Sequence, residues 1–163
     1  MATETHTDSR PTAVLTMGLP GAGKSTVMND RFDLSEWTLI DPDVIKQEHP
    51  DYDPTRPELI HEWSKKQAAA RQAQAVADGD DIIIDGTGTN AEKMVRWTQD
   101  LQSDGYRVEL LYVRVSLPTA IARNAARPRT VPEDIVREKA GLISTSFEIT
   151  ARYVDTITVV DND

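Results

Sequence analysis

The residues best suited to chemistry lie in Gly18-Leu19-Pro20-Gly21-Ala22-Gly23-Lys24-Ser25-Thr26, which has the form G-x-x-x-x-G-K-[ST]. Glycines let such a loop fold tightly with its N–H groups turned inward, which makes a nest for phosphate oxygens. Lysine in this motif reaches the β- and γ-phosphates, and the serine holds Mg²⁺. The motif therefore predicts binding of ATP and Mg²⁺ by Gly18, Gly21, Ala22, Gly23, Lys24, Ser25 and Thr26, with Ser25 as a metal ligand.

Two aspartates follow the second apolar run of the chain, at Asp41 and Asp43. A carboxylate near an acceptor hydroxyl can orient it and take its proton during phosphoryl transfer. Asp43 is the candidate base, and Asp41 competes with it for that role. Asp41-Pro42-Asp43 could instead cap a helical turn, since Asp is a common N-cap.

A third acid, Asp85, closes the apolar run Ile82-Ile83-Ile84 and precedes Gly86. Its position predicts either a metal contact shared with Ser25 or a contact with the acceptor, and the sequence does not decide between them. An ordinary aspartate in a turn is the alternative.

Three arginines surround Pro128 in a chain that is otherwise acidic: Arg123, Arg127 and Arg129. Phosphoryl transfer places negative charge on the equatorial oxygens, and guanidinium groups can stabilise that charge. We predict that this segment is a small lid over ATP, in which at least one of the three arginines contacts the phosphates. A solvated helix face is the ordinary alternative for each arginine.

Other polar and aromatic residues give weaker signals. His49 and His61 lack metal-ligand spacing and are expected to be solvated or structural. Trp63 and Trp97 are expected in the core. Lys46, one helical turn from Asp43, could contact an anionic substrate, although a surface lysine is the usual case.

Composition excludes several classes of protein. The 163 residues contain no cysteine, which excludes disulfides and cysteine-based zinc sites and is compatible with the cytosol, our expected location. No apolar run is long enough to span a membrane. The formal net charge of −9 argues against broad attraction to nucleic acid or anionic membrane. We expect a loose arm over residues 1–10 and one domain over residues 11–163.

Strand-like and helix-like segments alternate along that domain. Strands are expected at 14–17, 37–40, 82–84, 108–115 and 156–160, and helices at 24–31, 44–47, 58–77, 91–103 and 119–127. Pro132 is expected to open a further helix, which Gly141 interrupts or ends, with another helix over 144–152. The pattern predicts an α/β fold of five parallel strands with helices on both faces.

Two longer stretches carry a family resemblance. Ile40-Asp41-Pro42-Asp43-Val44-Ile45-Lys46-Gln47-Glu48-His49-Pro50 and Ile84-Asp85-Gly86-Thr87-Gly88 resemble the zeta-toxin family of phosphate-loop kinases. Ala122-Arg123-Asn124-Ala125-Ala126-Arg127 and Val131-Pro132-Glu133-Asp134-Ile135 resemble the lid of phage polynucleotide kinase. These resemblances imply a P-loop NTPase fold of the kinase type, with Asp43 as base, Thr87 beside Asp85 at the acceptor, and Arg127 on the ATP phosphates.

The resemblance therefore implies an ATP-dependent kinase, an enzyme that phosphorylates a hydroxyl. Its acceptor is expected to be nucleotide-like or nucleic acid, at a 5′-hydroxyl end or a modified base, contacted by Asp43, Lys46, Asp85 and Thr87. A UDP-sugar, as in the zeta toxins, is the alternative. A nucleotide-binding switch without turnover is a second alternative, although the N-K-x-D signature of GTPases is absent. The oligomeric state stays open.

Overall fold

Five short strands form one parallel sheet in the order β2-β3-β1-β4-β5 in the computed structural model, which describes residues 9–128 and 131–163. The strands are β1 (Thr12–Met17), β2 (Thr38–Ile40), β3 (Ile82–Ile84), β4 (Arg107–Arg114) and β5 (Thr156–Asp161). Every neighbouring pair is parallel. The carboxyl ends of all five strands therefore share one edge, which is where sheets of this kind bind ligands.

The central strand β1 is largely apolar because helices cover both faces of the sheet. Residues 13–17 are all buried, and Leu15 pairs with Ile84 of β3 on one side and Leu110 of β4 on the other. Continuous apolar runs of this kind are typical of interior parallel strands. The sheet thus fixes the loop that follows Met17 at the centre of its carboxyl edge.

Six helices connect the strands. They are α1 (Lys24–Arg31), α2 (Pro42–Lys46), α3 (His61–Asp78), α4 (Ala91–Ser103), α5 (Leu117–Ala125) and α6 (Glu133–Thr150), with short 3₁₀ turns at Leu34–Glu36 and Pro57–Ile60. Helix α1 contributes Val27 and Met28 to the core on one face. Helices α3 to α6 cover the opposite face, where their buried residues pack with the alternate side chains of the strands. The expected α/β fold with helices on both faces is confirmed.

Local sequence signals set several helix ends as expected. Asn90 is the N-cap of α4, and its side chain accepts a hydrogen bond from the Lys93 N–H at 3.1 Å. Gly79 ends α3 with a φ of 71°, a conformation that glycine adopts without strain. Pro132 lies immediately before α6. No helix in residues 9–128 and 131–163 is long and apolar enough to cross a membrane.

Three expectations were wrong. Gly141 neither interrupts nor ends a helix, because α6 runs unbroken through it and packs its buried side chains against the core. Trp63 is only partly buried and packs edge-on against His49, at 4.7 Å between ring centroids, outside the core clusters. Lys46 is buried, with 8% of its surface exposed, where a surface lysine was the usual expectation.

Candidate active site

The phosphate loop, residues 18–25, connects β1 to the start of α1. Gly21 and Gly23 have φ values of 87° and 83°, which favour glycine. A Cβ on Gly21 would collide with the backbone oxygen of Ala120 in α5, so the loop lies directly against that helix. Gly23 caps α1 without a side-chain hydrogen bond, so the helix presents its first N–H groups to the cavity, as phosphate-binding helices do.

Lys24 is the first residue of α1, and its Nζ donates to the Gly18 carbonyl at 3.4 Å. Burial lowers the pKa of Lys24, and Asp85 is the strongest of the neighbours that oppose this shift. Arg127 adds to the lowering. The ammonium therefore lies in a partly desolvated position between acidic and basic groups, where a phosphate would compensate its charge.

A cavity of about 620 Å³ opens at the carboxyl edge of the sheet beside this loop. Most of the predicted site residues line it. The lining residues are Leu19, Pro20, Gly21, Ala22, Gly23, Lys24, Ser25, Thr26, Asp41, Asp43, Val44, Gln47, Asp85, Thr87, Arg123, Arg127, Val131 and Lys139. The structure thus brings together in one cavity the phosphate loop, the residues that directly follow β2 and β3, and residues of α1, α2, α5 and α6.

Asp41 and Asp43 differ in their surroundings although two positions separate them. Asp41 is the N-cap of α2, and its Oδ1 accepts from the Asp43 N–H at 2.9 Å. Burial, followed by the charge of Asp85, raises the pKa of Asp41 to about 6. Asp43 occupies the first turn of α2 and is exposed on the cavity wall.

Asp85 is held in place by the end of β1. Its Oδ1 accepts from the Thr16 hydroxyl at 2.7 Å, and the Thr16 Oγ1 accepts from the Gly86 N–H at 3.0 Å. Thr16 is 1% exposed, so the side chain that holds Asp85 is itself fixed in the core. Sequence reasoning missed Thr16, whose only signal is a polar residue inside an apolar strand.

Thr87 lies on the same wall, and its backbone carbonyl accepts from the Gly18 N–H at 3.0 Å. The following Gly88 has a φ of 73°, and a Cβ there would lie 3.0 Å from the Met17 side chain. The loop after β3 is therefore fastened directly to the end of β1.

Mg²⁺ is the metal that the phosphate loop implies. The described residues contain no group of three or more acidic or histidine side chains that could hold a metal alone. Ser25 and Asp85 nevertheless line one cavity. One or two protein oxygens completed by phosphates and water are what Mg²⁺ uses at triphosphate sites. The donor set therefore fits Mg²⁺ that binds together with ATP.

Two of the three predicted arginines reach the cavity. Arg123 and Arg127 both line it, and the Arg123 Nη1 donates to the Ala22 carbonyl at 3.5 Å. Arg129 lies outside the described residues. Lys139 of α6 adds a cation on the same side.

Sequence reasoning missed further residues around this cavity. Asn162, which follows β5, donates from its Nδ2 to the Ala22 carbonyl at 2.8 Å. Gln47, Val131 and Lys139 line the cavity. Only Gln47 had a local signal, because it lies four residues after Asp43 on a helical segment.

Lys46, His49 and His61 are not among the residues that line this cavity. Lys46 lies at the end of α2, one turn beyond Asp43, but its burial leaves it behind the wall. The Nδ1 of His49 accepts from the Asp51 N–H at 3.0 Å, as expected for a structural histidine.

A second cavity of about 530 Å³ lies between α3 and α4 on the face covered by four helices. Its floor and walls are largely apolar and include Ile40, Ile84, Ala68, Ala73 and Trp97. Lys65 and Lys93 also line it, and the Lys93 Nζ lies 4.6 Å from the Trp97 ring centroid. Ile40, Pro42 and Ile84 each precede an aspartate of the first cavity, so the same chain segments form one wall of both.

The family comparison agrees with this constellation. The zeta-toxin family matches residues 1–163. The chain belongs to the zeta-toxin family. It is 28% identical over 118 residues to the toxin zeta of Enterococcus hirae, which covers 64% of this chain and 40% of the toxin. It is 30% identical over 130 residues to a calmodulin calcium-dependent NAD kinase of Arabidopsis thaliana, covering 66% of this chain and 24% of that protein.

This zeta-toxin family member thus spans about two fifths of the length of the toxins it matches. Among solved structures it is similar to the PezAT toxin-antitoxin system of Streptococcus pneumoniae, with a TM-score of 0.72, 20% identity and coverage of 94% of this chain and 70% of that one. It is also similar to deoxyadenosine kinase from M. mycoides with bound dATP, with a TM-score of 0.60, 18% identity and coverage of 92% and 91%. These likenesses confirm the predicted P-loop kinase fold.

Proposed function

We propose that this chain is a phosphotransferase that moves the γ-phosphate of ATP, with Mg²⁺, to a hydroxyl of a nucleotide-like acceptor. In this proposal Lys24 and the loop amides hold the phosphates, and Ser25 and Asp85 hold Mg²⁺. Arg127, with Arg123, stabilises the charge that develops on the transferred group. The zeta-toxin family match supports transfer chemistry, and a solved neighbour of the same fold contains ATP.

The observation that carries the proposal is the position of Asp43. Asp43 lines the same cavity as Lys24, Ser25 and Arg127, but it belongs to a different strand-helix unit from the loop. An acid opposite the phosphate loop can take the proton of an acceptor hydroxyl as the phosphoryl group arrives. This arrangement supports transfer to an acceptor over simple retention of nucleotide.

The relatives support a small nucleotide as the acceptor in this proposal. A UDP-sugar is favoured by the zeta-toxin match, and NAD is the substrate named for the Arabidopsis relative. Both are nucleotides with free sugar hydroxyls. The overall charge of −9 disfavours extended contact with a nucleic acid backbone, although a 5′-hydroxyl end remains the polynucleotide-kinase alternative.

We further propose that the base of the nucleotide acceptor lies in the second cavity. Trp97 and Lys65 line that cavity with Lys93, whose Nζ lies 4.6 Å from the Trp97 ring centroid, and Asp100 and Asp104 line it as well. In this proposal the acceptor stacks on Trp97 in place of the Lys93 ammonium, which moves to an anionic group of the acceptor. Because Pro42 lies in this cavity and Asp43 in the first, an acceptor held against Trp97 could present a hydroxyl at the shared wall.

A screen with γ-labelled ATP tests the function. Purified protein with Mg²⁺ is incubated with a UDP-sugar, NAD, nucleosides, a 5′-hydroxyl oligonucleotide and DNA that carries a hydroxylated base. We expect label in one of the small nucleotides and none with the Lys24→Ala variant. Label in the oligonucleotide alone would support the polynucleotide-kinase alternative. ATP binding without label in any acceptor would overturn the kinase proposal and favour a nucleotide-binding switch.

A further inference from the structure

The side chain of one buried residue, Asn124, joins the end of α5 to the backbone of Val131, and Arg127 lies between these two positions in the sequence. Asn124 occupies the last turn of α5 and is 4% exposed. Its Nδ2 donates to the Val131 carbonyl at 2.6 Å, and its Oδ1 accepts from the Val131 N–H at 3.0 Å. One side-chain amide thus satisfies both polar groups of a residue seven positions later, at the far end of the lid.

The same residue lies against the phosphate loop. A Cβ on Gly21 would come within 3.0 Å of the Asn124 backbone nitrogen. The backbone carbonyl of Asn124 accepts from the Arg127 N–H at 3.2 Å. Backbone and side chain of Asn124 therefore connect the loop, the start of the lid and its end.

Val131, the residue held by Asn124, lies between the cavity and the core. It lines the cavity beside the phosphate loop and packs against the main core cluster. Because Val131 is fixed against the end of α5, the chain on either side of Arg127 is anchored at Asn124 and at Val131, which lowers the conformational entropy that ATP binding must remove.

We propose that Asn124 is a positioning residue, which acts through Arg127 by fixing the backbone of Val131 against the last turn of α5, beside the phosphate loop. It need not touch ATP. The proposal rests on the proposed function only in assigning Arg127 to the ATP phosphates, and its test measures ATP binding and not transfer.

A double-mutant cycle tests the coupling. Affinity for a fluorescent ATP analogue with Mg²⁺ is measured for wild type, Asn124→Ala, Arg127→Ala and the double variant. We expect Asn124→Ala to weaken binding about fivefold and Arg127→Ala about tenfold, typical of a neutral and a charged hydrogen bond. If Asn124 acts through Arg127, the double variant will bind within about twofold of Arg127→Ala, since effects of coupled residues are not additive.

Independent effects would multiply to about fiftyfold in the double variant, and that result would overturn the proposal. Asn124→Ser keeps an uncharged polar side chain but shortens it, which breaks the two-bond contact with Val131, so it enters the same cycle if Asn124→Ala does not fold. Thermal unfolding of every variant is measured in parallel. Asn29→Ala, at an exposed asparagine of α1, is the control and should bind ATP as wild type does.

The double-mutant cycle and the acceptor screen test different proposals, so one can be overturned while the other stands. ATP binding with coupled variants but no phosphorylated acceptor would overturn the kinase function and keep the positioning role. Transfer with additive variants would keep the kinase function and remove Asn124 from it.

Discussion

At the scale of single residues, position on one short helix separates two aspartates that look alike in sequence. Asp41 caps α2 by accepting a hydrogen bond at Oδ1, and burial raises its pKa to about 6. Asp43 is exposed toward the cavity, one residue inside the helix. From the sequence, this segment could supply a catalytic base or a helix cap. In the structure Asp41 is the cap, and Asp43 has the position that a base requires.

Replacement of Asp43 by asparagine tests the predicted base. Asp43→Asn keeps the size of the side chain but cannot accept a proton. We expect ATP affinity close to wild type and phosphoryl transfer reduced at least about tenfold, the low end for lost general-base help. Initial rates at saturating ATP, with the acceptor found in the screen, provide the measurement. Undiminished transfer would remove Asp43 from the mechanism.

Asp41 predicts a dependence of stability on pH. Its pKa is raised to about 6 in the folded protein, so the folded state holds the proton more tightly than the unfolded chain. Its contribution to the free energy of unfolding is full below the unfolded pKa of about 4 and is lost as pH rises through about 6. Asparagine caps helices equally well. We therefore expect Asp41→Asn to raise Tm at about pH 8 by about 2–4 °C, or about 1 kcal/mol after allowance for solvent screening.

The gain in Tm should fall as the pH is lowered and disappear at about pH 3, below the unfolded pKa, where Asp41 is protonated in both states. Asp33→Asn is the matched control, since Asp33 also caps a short turn and its Oδ1 accepts from the Ser35 N–H at 3.1 Å. Hydrogen bonds from Ser35 lower the pKa of Asp33, so the sign is reversed and no gain in Tm is expected at alkaline pH. Calorimetry in EDTA measures both variants, and equal gains for the two would refute the argument.

At the scale of elements, local signals predicted most of the architecture. The phosphate-loop motif, the N-cap Asn90, the C-terminal Gly79 and the run Ile82-Ile83-Ile84 each specify a structure within a few residues of themselves. Lys139, which lines the cavity, and Asn162, which bonds to the phosphate loop, could not be found in this way. They reach the site only because α6 and β5 pack where the whole sheet directs them.

Gly141 shows how tertiary packing overrides a local signal. The glycine lowers the intrinsic helicity of its segment, but buried residues on both sides, Val136 and Ile143, hold α6 together. A Cβ at Gly141 would meet nothing within 4 Å. We expect Gly141→Ala to stabilise the protein by about 0.5–1 kcal/mol and to raise Tm by about 2–4 °C.

The control for this variant is Gly79→Ala. A Cβ at Gly79 also meets open space, but its φ of 71° is strained for alanine. Thermal unfolding should therefore show a fall in Tm for Gly79→Ala and a rise for Gly141→Ala. A rise in both would show that the backbone conformation at Gly79 is not the deciding factor.

The second cavity, between α3 and α4, predicts that a change at Trp97 alters KM for the acceptor but not KM for ATP. Trp97→Leu keeps apolar bulk but removes the flat ring, and stacking of a base on an aromatic side chain contributes about 1–3 kcal/mol. We expect KM for the acceptor to rise about tenfold, with KM for ATP unchanged. Trp63→Leu is the control, because Trp63 packs on His49 and is not among the lining residues of either cavity. Equal rises for both variants would place the acceptor elsewhere.

At the scale of the whole molecule, the site is assembled from distant parts of the chain. The strand order puts β1 between β3 and β4, and β5 follows β4 at one edge of the sheet. Asp85 and Thr16 meet across 69 positions, and Asn162 reaches Ala22 across 140. The phosphate loop is therefore supported by strands that fold into place only when the sheet is complete.

Asn162 gives this dependence a measurable consequence. Its Nδ2 donates to the Ala22 carbonyl at 2.8 Å and fixes the loop between two glycines that have no side chains to hold them. Asn162→Ala should weaken ATP binding about threefold, near the contribution of one hydrogen bond. Arg114→Ala is the control, since the exposed ion pair of Arg114 with Asp161 lies at the same end of β5. Exposed pairs contribute little, so ATP affinity should stay within about twofold. Because both variants loosen the last strand but only one frees the loop, equal affinities would show that the Ala22 contact does not shape the phosphate site.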